Sequence, residues 1–295
     1  PSRAAALDAL GEVHEGKGAD EALEDAFRKR RSISSADKAY AMELTYGTLR
    51  WRRRLDDLLA KHVKKSLPEP PLLDVIRLAA YQLLFGGRAH AAVSTAVEAA
   101  RATKGEEAAA KFANAVLRGA TEGARMAASR GRPNLGRKEL GAWWSFPEWM
   151  VTAFEEVAGE RGLGSLLEAS NERPPLTLRA APGTRDAVLA SLGPGARAGE
   201  HARDAIVIAE PRGRVEELAG FREGRFTVQD EGAQLITELL GDLRGKELLD
   251  TCAAPGGKAI HAAQLGARVT AIDASEKRLK RASEAAARLG TPLDV

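Results

Sequence analysis

The stretch from Leu248 to Lys258 constrains the fold more than any other part of the chain. It reads Leu-Leu-Asp-Thr-Cys-Ala-Ala-Pro-Gly-Gly-Lys, in which an apolar run stops at an acid and a turn of small residues follows. A helix-compatible run with Ala262, Ala263 and Leu265 comes next. This order predicts a strand, a glycine turn and a helix. In open α/β sheets, ligands bind just outside the carboxyl ends of such strands.

The two glycines of this turn suit close contact with a ligand. Gly256 and Gly257 lack a Cβ, so a ligand can approach the backbone, and the free N–H groups of the helix start can donate to it. A Walker phosphate loop is excluded, because Cys252 and Ala259 stand where that loop has Gly and Ser or Thr. The dinucleotide pattern G-x-G-x-x-G is also absent.

An acid follows the next predicted strand. The strand runs from Arg268 to Asp273, and Asp273 lies 17 residues after Gly256. An acid about 20 residues beyond a glycine turn typically binds ribose hydroxyls, because a carboxylate accepts the two hydrogen bonds that a vicinal diol offers. The alternative is that Asp273 only assists the cap of the following helix, which Ser275 can begin.

The motif from Asp250 to Lys258 resembles motif I of the RNA cytosine-5 methyltransferases that use S-adenosylmethionine. The resemblance implies that this cofactor is held by eight residues, namely Cys252, Ala253, Ala254, Pro255, Gly256, Gly257, Lys258 and Asp273.

Cys252 is the only cysteine of the chain. A lone cysteine in such a place is usually a small buried hydrophobe, and His261 on the following helix suits packing or surface better than a general base. In the methyltransferase family, the attacking thiolate lies in a later Pro-Cys motif, which is absent here. We therefore assign no catalytic residue. We expect the chain to be the N-terminal two thirds of such an enzyme, and inactive alone.

Residues 1 to about 130 show helical spacing of apolar residues and no alternation of the kind strands have. They predict an all-α bundle. Four ordered segments in this region resemble the NusB family of RNA-binding domains, namely residues 43–51 (ELTYGTLRW), 77–84 (RLAAYQLL), 90–98 (HAAVSTAVE) and 112–118 (FANAVLR).

A basic stripe is predicted on this bundle. If residues 50 to 65 form one helix, six basic residues fall within an arc of roughly 120°, namely Arg50, Arg53, Arg54, Lys61, Lys64 and Lys65. Trp51 and Leu55 then lie on the opposite side, which should pack into the bundle. Asp57 can pair with Arg53 or Lys61. The stripe is either a solvated face or a phosphate-binding surface, and the resemblance to the NusB family favours RNA.

Residues 129–138 are rich in basic, Gly and Pro residues and predict a solvated linker. An aromatic cluster follows at residues 143–149, and it predicts the anchor of a small helical layer more than a base-stacking surface. Residues 176–179 and 206–208 are strand candidates. The segment 226–234 (FTVQDEGAQ) resembles the part of the ribosomal-RNA methyltransferases that leads into the cofactor domain.

The whole sequence therefore predicts a multidomain protein: an all-α NusB-like bundle over 1–133, a small α+β connecting subdomain over 134–240, and the start of an α/β Rossmann-like methyltransferase domain over 241–295. The net charge of +3 is mild, so an RNA surface must come from local clustering. No apolar run reaches the ~18 residues of a membrane helix, and no metal-ligand spacing is found. One cysteine suggests a reducing cytoplasm.

The function implied by the resemblance is methyl transfer from S-adenosylmethionine to C5 of a cytosine in 16S rRNA. Two alternatives stay open: a non-catalytic NusB-like RNA-binding or transcription-regulating module, and a tRNA cytosine-5 methyltransferase.

Overall fold

The computed structural model describes residues 1–86, 88–104, 107–130, 135–209 and 213–295, with the backbone alone at 104 and 126–130. The chain divides into two compact units, residues 1–172 and 173–295. The predicted succession of a helical bundle, an α+β part and parallel strands of an α/β part is confirmed. The predicted domain limits near 133 and 240 stay predictions.

The first unit is built from helices. Their bounds are α1 Ser2–His14, α2 Ala19–Arg28, α3 Ser35–Arg50, α4 Arg52–Ala60, α5 Leu72–Leu84, α6 Ala89–Lys104, α7 Glu107–Arg130, α8 Arg137–Trp143 and α9 Glu148–Ala169. Ser34 caps α3, since its side chain accepts from the backbone N–H of Asp37 at 3.0 Å. The core lies between α3, α4, α5 and α7, where Leu44, Leu55 and Leu117 are buried.

The prediction of one helix over residues 50–65 is wrong. The chain leaves helical geometry at Trp51, whose φ and ψ are −94° and 11°, and α4 ends at Ala60. Trp51 is buried with its ring 4.7 Å from that of Phe85, so the break lies within the core. The predicted apolar side does pack inward, with Leu55 and Leu59 fully buried.

The predicted linker 129–138 is partly helical. Helix α7 continues to Arg130 and α8 begins at Arg137, so both ends of the predicted linker belong to helices. Residues 131–134 lie outside the described residues. Among the described residues, no helix is both long enough and apolar enough to cross a membrane.

Two of the quoted sequence segments meet where α3 crosses α5. A Cβ on Gly47 would lie 2.1 Å from Cζ of Tyr81. Tyr81 cannot easily withdraw, because its hydroxyl donates to Oε1 of Glu43 at 2.6 Å and its ring lies 5.0 Å from that of Phe85. The absence of a side chain at Gly47 therefore sets how closely α3 and α5 approach.

The second unit contains a mixed layer and a parallel pair. Its elements are β1 Leu176–Ala180, α10 Arg185–Leu192, β2 Ala196–Ala198, β3 Ala205–Ile208, β4 Phe226–Val228, α11 Glu231–Glu238, β5 Glu247–Asp250, α12 Gly257–Gln264, β6 Arg268–Ala271 and α13 Glu276–Arg288. The first four strands form an antiparallel sheet in the order β2-β3-β1-β4. Helix α10 packs on one face of this sheet, and α11 contacts β1.

Strands β5 and β6 are parallel, with Asp250 opposite Ala271. An isolated parallel bridge joins Thr270 of β6 to Asp294. Strand β5 is not fully covered, since Leu249 is 60% exposed. Ser275 caps α13 as predicted.

A histidine is buried in the core of the second unit. His261 on α12 is 1% exposed, and neither ring nitrogen has a hydrogen-bond partner among the described residues. Desolvation, aided by the charge of Arg179, lowers its pKa to about 3. The ring is therefore neutral at pH 7, and packing is its role here, as the sequence indicated.

Replacing Gly47 by Ala should destabilise the first unit. We expect the free energy of unfolding to fall by about 2 kcal/mol, because severe overpacking costs about 3 kcal/mol and the helix gains only about 1 kcal/mol from Ala. Gly11→Ala in α1 is the matched control, since a Cβ there meets nothing within 4 Å; it should stabilise by about 0.5–1 kcal/mol. Urea unfolding followed by tryptophan fluorescence measures both, because all four tryptophans lie in this unit.

Acid should destabilise the second unit through His261. His261 has a pKa of about 6.5 in the unfolded chain and about 3 in the folded one. As the pH falls from 6.5 towards 3, the unfolded chain therefore binds a proton that the folded chain does not. The free energy of unfolding should fall over this range by up to about 1.4 kcal/mol per pH unit. His261→Leu should make the stability of α12 depend less on pH. Amide hydrogen exchange of α12, corrected for the intrinsic exchange rates, measures this stability at each pH. Val188→Ala, which removes buried volume on α10, should lower stability without changing the slope. Equal slopes for wild type and His261→Leu would contradict the prediction.

Candidate cofactor turn and basic surface

The glycine turn lies at the carboxyl end of the parallel pair. After β5, the backbone N–H of Ile272 donates to the carbonyl of Asp250 at 2.9 Å, and that of Ala253 donates to the carbonyl of Ile272 at 3.0 Å. The side chain of Asp250 accepts from the N–H of Cys252 at 3.1 Å. The turn is thus bonded to the end of the second strand, which is the edge where α/β sheets bind ligands.

Gly256 must be a glycine for two reasons. Its φ is +103°, which side-chain-bearing residues rarely adopt. A Cβ would also lie 2.9 Å from the Cβ of Ala282 on α13 and 3.0 Å from Cδ1 of Ile260. Gly256 therefore sets the direction of α12 and lets α13 pack against the turn.

Gly257, the first residue of α12, leaves an open approach to the backbone. A Cβ there would meet only the side-chain amide of Gln229, at 3.8 Å. Gly256 gives no side-chain cap to α12, and the first N–H groups of a helix have no acceptor within it. The turn therefore offers backbone donors and the positive end of a helix dipole, as a ligand with acceptor atoms requires.

Asp273 joins the second strand to the turn. Its Oδ2 accepts from the N–H of Ala254 at 3.1 Å, and its Oδ1 accepts from the N–H of Ser275 at 2.9 Å and from Arg278 at 3.2 Å. The Ser275 N–H, with smaller effects of Ala254 and Arg278, holds the pKa of Asp273 below its ordinary value against desolvation. The expected alternative role in the helix start is therefore present. Each carboxylate oxygen has two lone pairs, so Oδ2 keeps one beyond its bond to Ala254.

The remaining predicted turn residues differ in exposure. Cys252, Pro255 and Lys258 are exposed, Ala254 is half-buried and Ala253 is buried. Cys252 is thus not the small buried hydrophobe that a lone cysteine in such a place usually is, and its role at the cofactor site stays a prediction. Among the described residues, no group of three His, Cys, Asp or Glu side chains is placed to hold a metal ion.

Three residues outside the predicted set, Arg179, Gln229 and Gln264, are joined by hydrogen bonds behind the turn. Arg179 on β1 is 1% exposed, and its Nε donates to Oε1 of Gln229 at 2.5 Å. Its Nη1 donates to Oε1 of Gln264, the last residue of α12. Gln229 lies within the segment 226–234, whose resemblance to the ribosomal-RNA methyltransferases singled out none of its residues, and nothing in the sequence distinguished Arg179 from a solvent-facing strand residue.

The predicted basic stripe separates into two groups. Arg50, Lys64 and Lys65 are exposed, and exposed Lys61 pairs with Asp57 at 2.7 Å, as predicted for this spacing. A solvent-facing set of cations therefore exists around the end of α3 and the segment after α4.

Arg53 and Arg54 are not part of that free surface, so the stripe is wrong for these two residues. The guanidinium of Arg53 donates to the carbonyl of Phe146 at 2.9 Å. The guanidinium of Arg54 lies 4.0 Å from the ring centre of Trp143 and 5.4 Å from that of Trp51. Both side chains are half-buried and join α4 to the segment around α8, and desolvation lowers the pKa of Arg54.

The aromatic cluster at residues 143–149 is mainly structural, as favoured by the sequence. The ring of Trp144 lies 6.2 Å from that of Trp51, and Phe146 packs 5.5 Å from Phe154 on α9. Trp149 differs, since it is 70% exposed. The cluster therefore anchors α8 and α9 within the first unit.

Comparison with known families matches the chain in three successive segments. Residues 1–122 match the NusB family, residues 146–216 match the ferredoxin-like domain of RsmF/B-like methyltransferases, and residues 238–294 match the 16S rRNA methyltransferase RsmB/F family. The third segment contains the glycine turn and Asp273.

Individual relatives are similar over most of this chain. The chain is 36% identical over 295 residues to ribosomal RNA small subunit methyltransferase B of Pseudomonas putida, covering 96% of this chain and 65% of that protein. It is 34% identical over 265 residues to the protein of the same name from Proteus mirabilis, covering 86% and 61%. The chain thus spans less than two thirds of the length of these relatives.

A solved structure has the same fold. The crystal structure of PH0851 superposes with a TM-score of 0.71 at 19% identity, covering 99% of this chain and 68% of that one. The chain thus carries a NusB domain followed by segments similar to the two domains of the RsmB/F methyltransferases, and relatives above 30% identity are named ribosomal RNA small subunit methyltransferase B.

Proposed function

We propose that this chain forms the RNA-docking and cofactor-binding part of a 16S rRNA cytosine-5 methyltransferase that uses S-adenosylmethionine. The observation that carries the proposal is the meeting of the glycine turn and Asp273 at one edge of the parallel pair, joined by the bond from Ala254 to Asp273. When bound, S-adenosylmethionine supplies an electrophilic methyl group.

The residues of this edge have separate tasks in the proposal. Asp273 accepts hydrogen bonds from the ribose hydroxyls, and its lowered pKa keeps it ionised for that purpose. The backbone at Gly257 admits the ligand closely, and the free N–H groups at the start of α12 bind its acceptor atoms. Cys252, Pro255 and Lys258 line the entrance from solvent. The turn thus holds and orients the methyl donor.

The exposed cations of the first unit have the complementary task. Arg50, Lys61, Lys64 and Lys65 would contact phosphates without reading bases, so they would dock the RNA and leave the choice of cytosine to other parts of the protein. Arg53 and Arg54 would support this surface by fixing α4 to the aromatic layer. A cytoplasmic location agrees with an rRNA substrate.

The chain should bind S-adenosylmethionine in titration calorimetry, and Asp273→Asn should weaken binding about tenfold or more. A hydrogen bond to a charged group contributes about 1.5–3 kcal/mol, and 1.4 kcal/mol is tenfold in affinity. Glu276→Gln is the matched control, because Glu276 is an exposed acid in the first turn of α13; it should bind like wild type. Wild-type affinity in Asp273→Asn would refute the ribose role, and RNA binding without cofactor binding would favour the non-catalytic RNA-binding module.

Charge reversal of the exposed cations should weaken RNA binding. The triple change of Arg50, Lys64 and Lys65 to Glu should lower the affinity for an rRNA fragment at least tenfold at low salt. It should also flatten the plot of log affinity against log salt, because fewer counterions are released. Filter binding at several salt concentrations measures both quantities.

A control with the same change of charge separates a local surface from general electrostatics. Arg31, Arg88 and Arg161 are exposed and lie elsewhere on the first unit. Their joint replacement by Glu should leave affinity within about twofold and keep the salt slope. Equal losses in the two triple variants would argue against a defined docking surface.

A further inference from the structure

Arg179 is a buried cation whose hydrogen bonds go to amides. Desolvation lowers the pKa of its guanidinium to about 10, against the opposing charge of Asp204. Its partners within the described chain are the side-chain oxygens of Gln229 and Gln264, and its Nη2 has no partner among the described residues. Burying a charge without a contacting counter-ion is costly, and an apolar residue of similar volume would pack here with less cost. The position therefore calls for an explanation beyond core packing.

The guanidinium fixes which way the Gln229 amide faces. Arginine offers donors and no acceptor, so Gln229 must turn its Oε1 towards Arg179 and its Nε2 away from it. The Nε2 atom lies 3.8 Å from the place a Cβ would occupy on Gly257. The amide is buried and its Nε2 has no other partner in the described chain. The donor side of Gln229 is thus the side nearest to the place that a Cβ of Gly257 would occupy at the start of α12.

The same guanidinium reaches the other end of that helix. Gln264 is the last residue of α12, and its Oε1 accepts directly from Nη1 of Arg179. Between the two ends, His261 faces the interior with neither ring nitrogen hydrogen-bonded in the described chain. Arg179 is therefore bonded directly to the last residue of an eight-residue helix, and through Gln229 it lies next to the first residue, which belongs to the glycine turn.

We propose that Arg179 is a positioning residue of the cofactor site, which fixes the glycine turn against β1 by holding Gln229 at the start of α12 and Gln264 at its end. This inference rests on the proposed function for the identity of the ligand, but the fixation of α12 is a property of the chain alone. Arg179 itself touches no predicted turn residue and acts through the two amides. The antiparallel sheet thereby becomes part of the cofactor site of the second unit.

The test compares Arg179→Met, which keeps the length but cannot donate, with Arg179→Lys, whose single ammonium cannot reproduce the planar fork. The first readout is amide hydrogen exchange over 257–264 in the ligand-free chain. The second is the dissociation constant of S-adenosylhomocysteine from calorimetry. We expect Arg179→Met to speed exchange at these amides and to weaken binding at least tenfold, with Arg179→Lys between it and wild type.

Two further variants separate a positioning effect from a loss of stability and test whether Arg179 acts through Gln229. Val188→Ala lowers stability from the opposite face of the sheet, so it should leave the dissociation constant within about twofold. Gln229→Met should weaken binding like Arg179→Met, and the double variant should lose little more than the larger single loss, because the two residues act in one chain of contacts.

The outcomes decide the inference and the proposed function separately. If wild type binds no S-adenosylhomocysteine, the proposed function fails, and the exchange comparison still tests Arg179. Wild-type exchange over 257–264 in Arg179→Met would overturn the inference, as would an unchanged dissociation constant in a wild type that binds. A Val188→Ala variant that loses affinity to the same extent would also overturn it, because stability alone would then explain the effect.

Discussion

Parallel pairing of β5 with β6 is the constraint on which the candidate site depends. The register that sets Asp250 opposite Ala271 brings the residues after both strands to one edge. The backbone bond from Ala253 to Ile272 and the side-chain bond from Ala254 to Asp273 both follow from that register. A shift of one residue would turn the side chains of the strand to its other face and separate the carboxylate from the turn.

The second unit supports this edge by polar contacts where apolar packing is thin. The parallel pair leaves Leu249 largely exposed, so its core is small. Helix α12 packs on this core through Ala259 and Ala262, and the bond from Arg179 to Gln264 also joins it to the antiparallel sheet. Hydrogen bonds between amides and a guanidinium are directional, whereas apolar contacts tolerate sliding. Directional bonds suit a helix whose first turn must keep one position.

The sequence predicted the elements well and the side-chain environments less well. The turn, Asp273 and the Ser275 cap follow from local chemistry, so they could be predicted from neighbouring residues. The break at Trp51 could not, because it depends on the ring of Phe85 from a distant helix. Arg54 was predicted to be solvent-facing, yet Trp143 covers it. The alternation of side chains along β1 predicts that Arg179 and Leu178 lie on opposite faces of the sheet. Only the fold shows that both faces are buried at this point.

The exposed position of Cys252 has a practical consequence. The chain has one sulfhydryl, and it sits at the entrance of the glycine turn. A maleimide dye or spin label would therefore attach at one known place without any engineering of other thiols. Its emission or line shape would report directly on whether the entrance is open or covered, and oxidants would find their first target at the same spot.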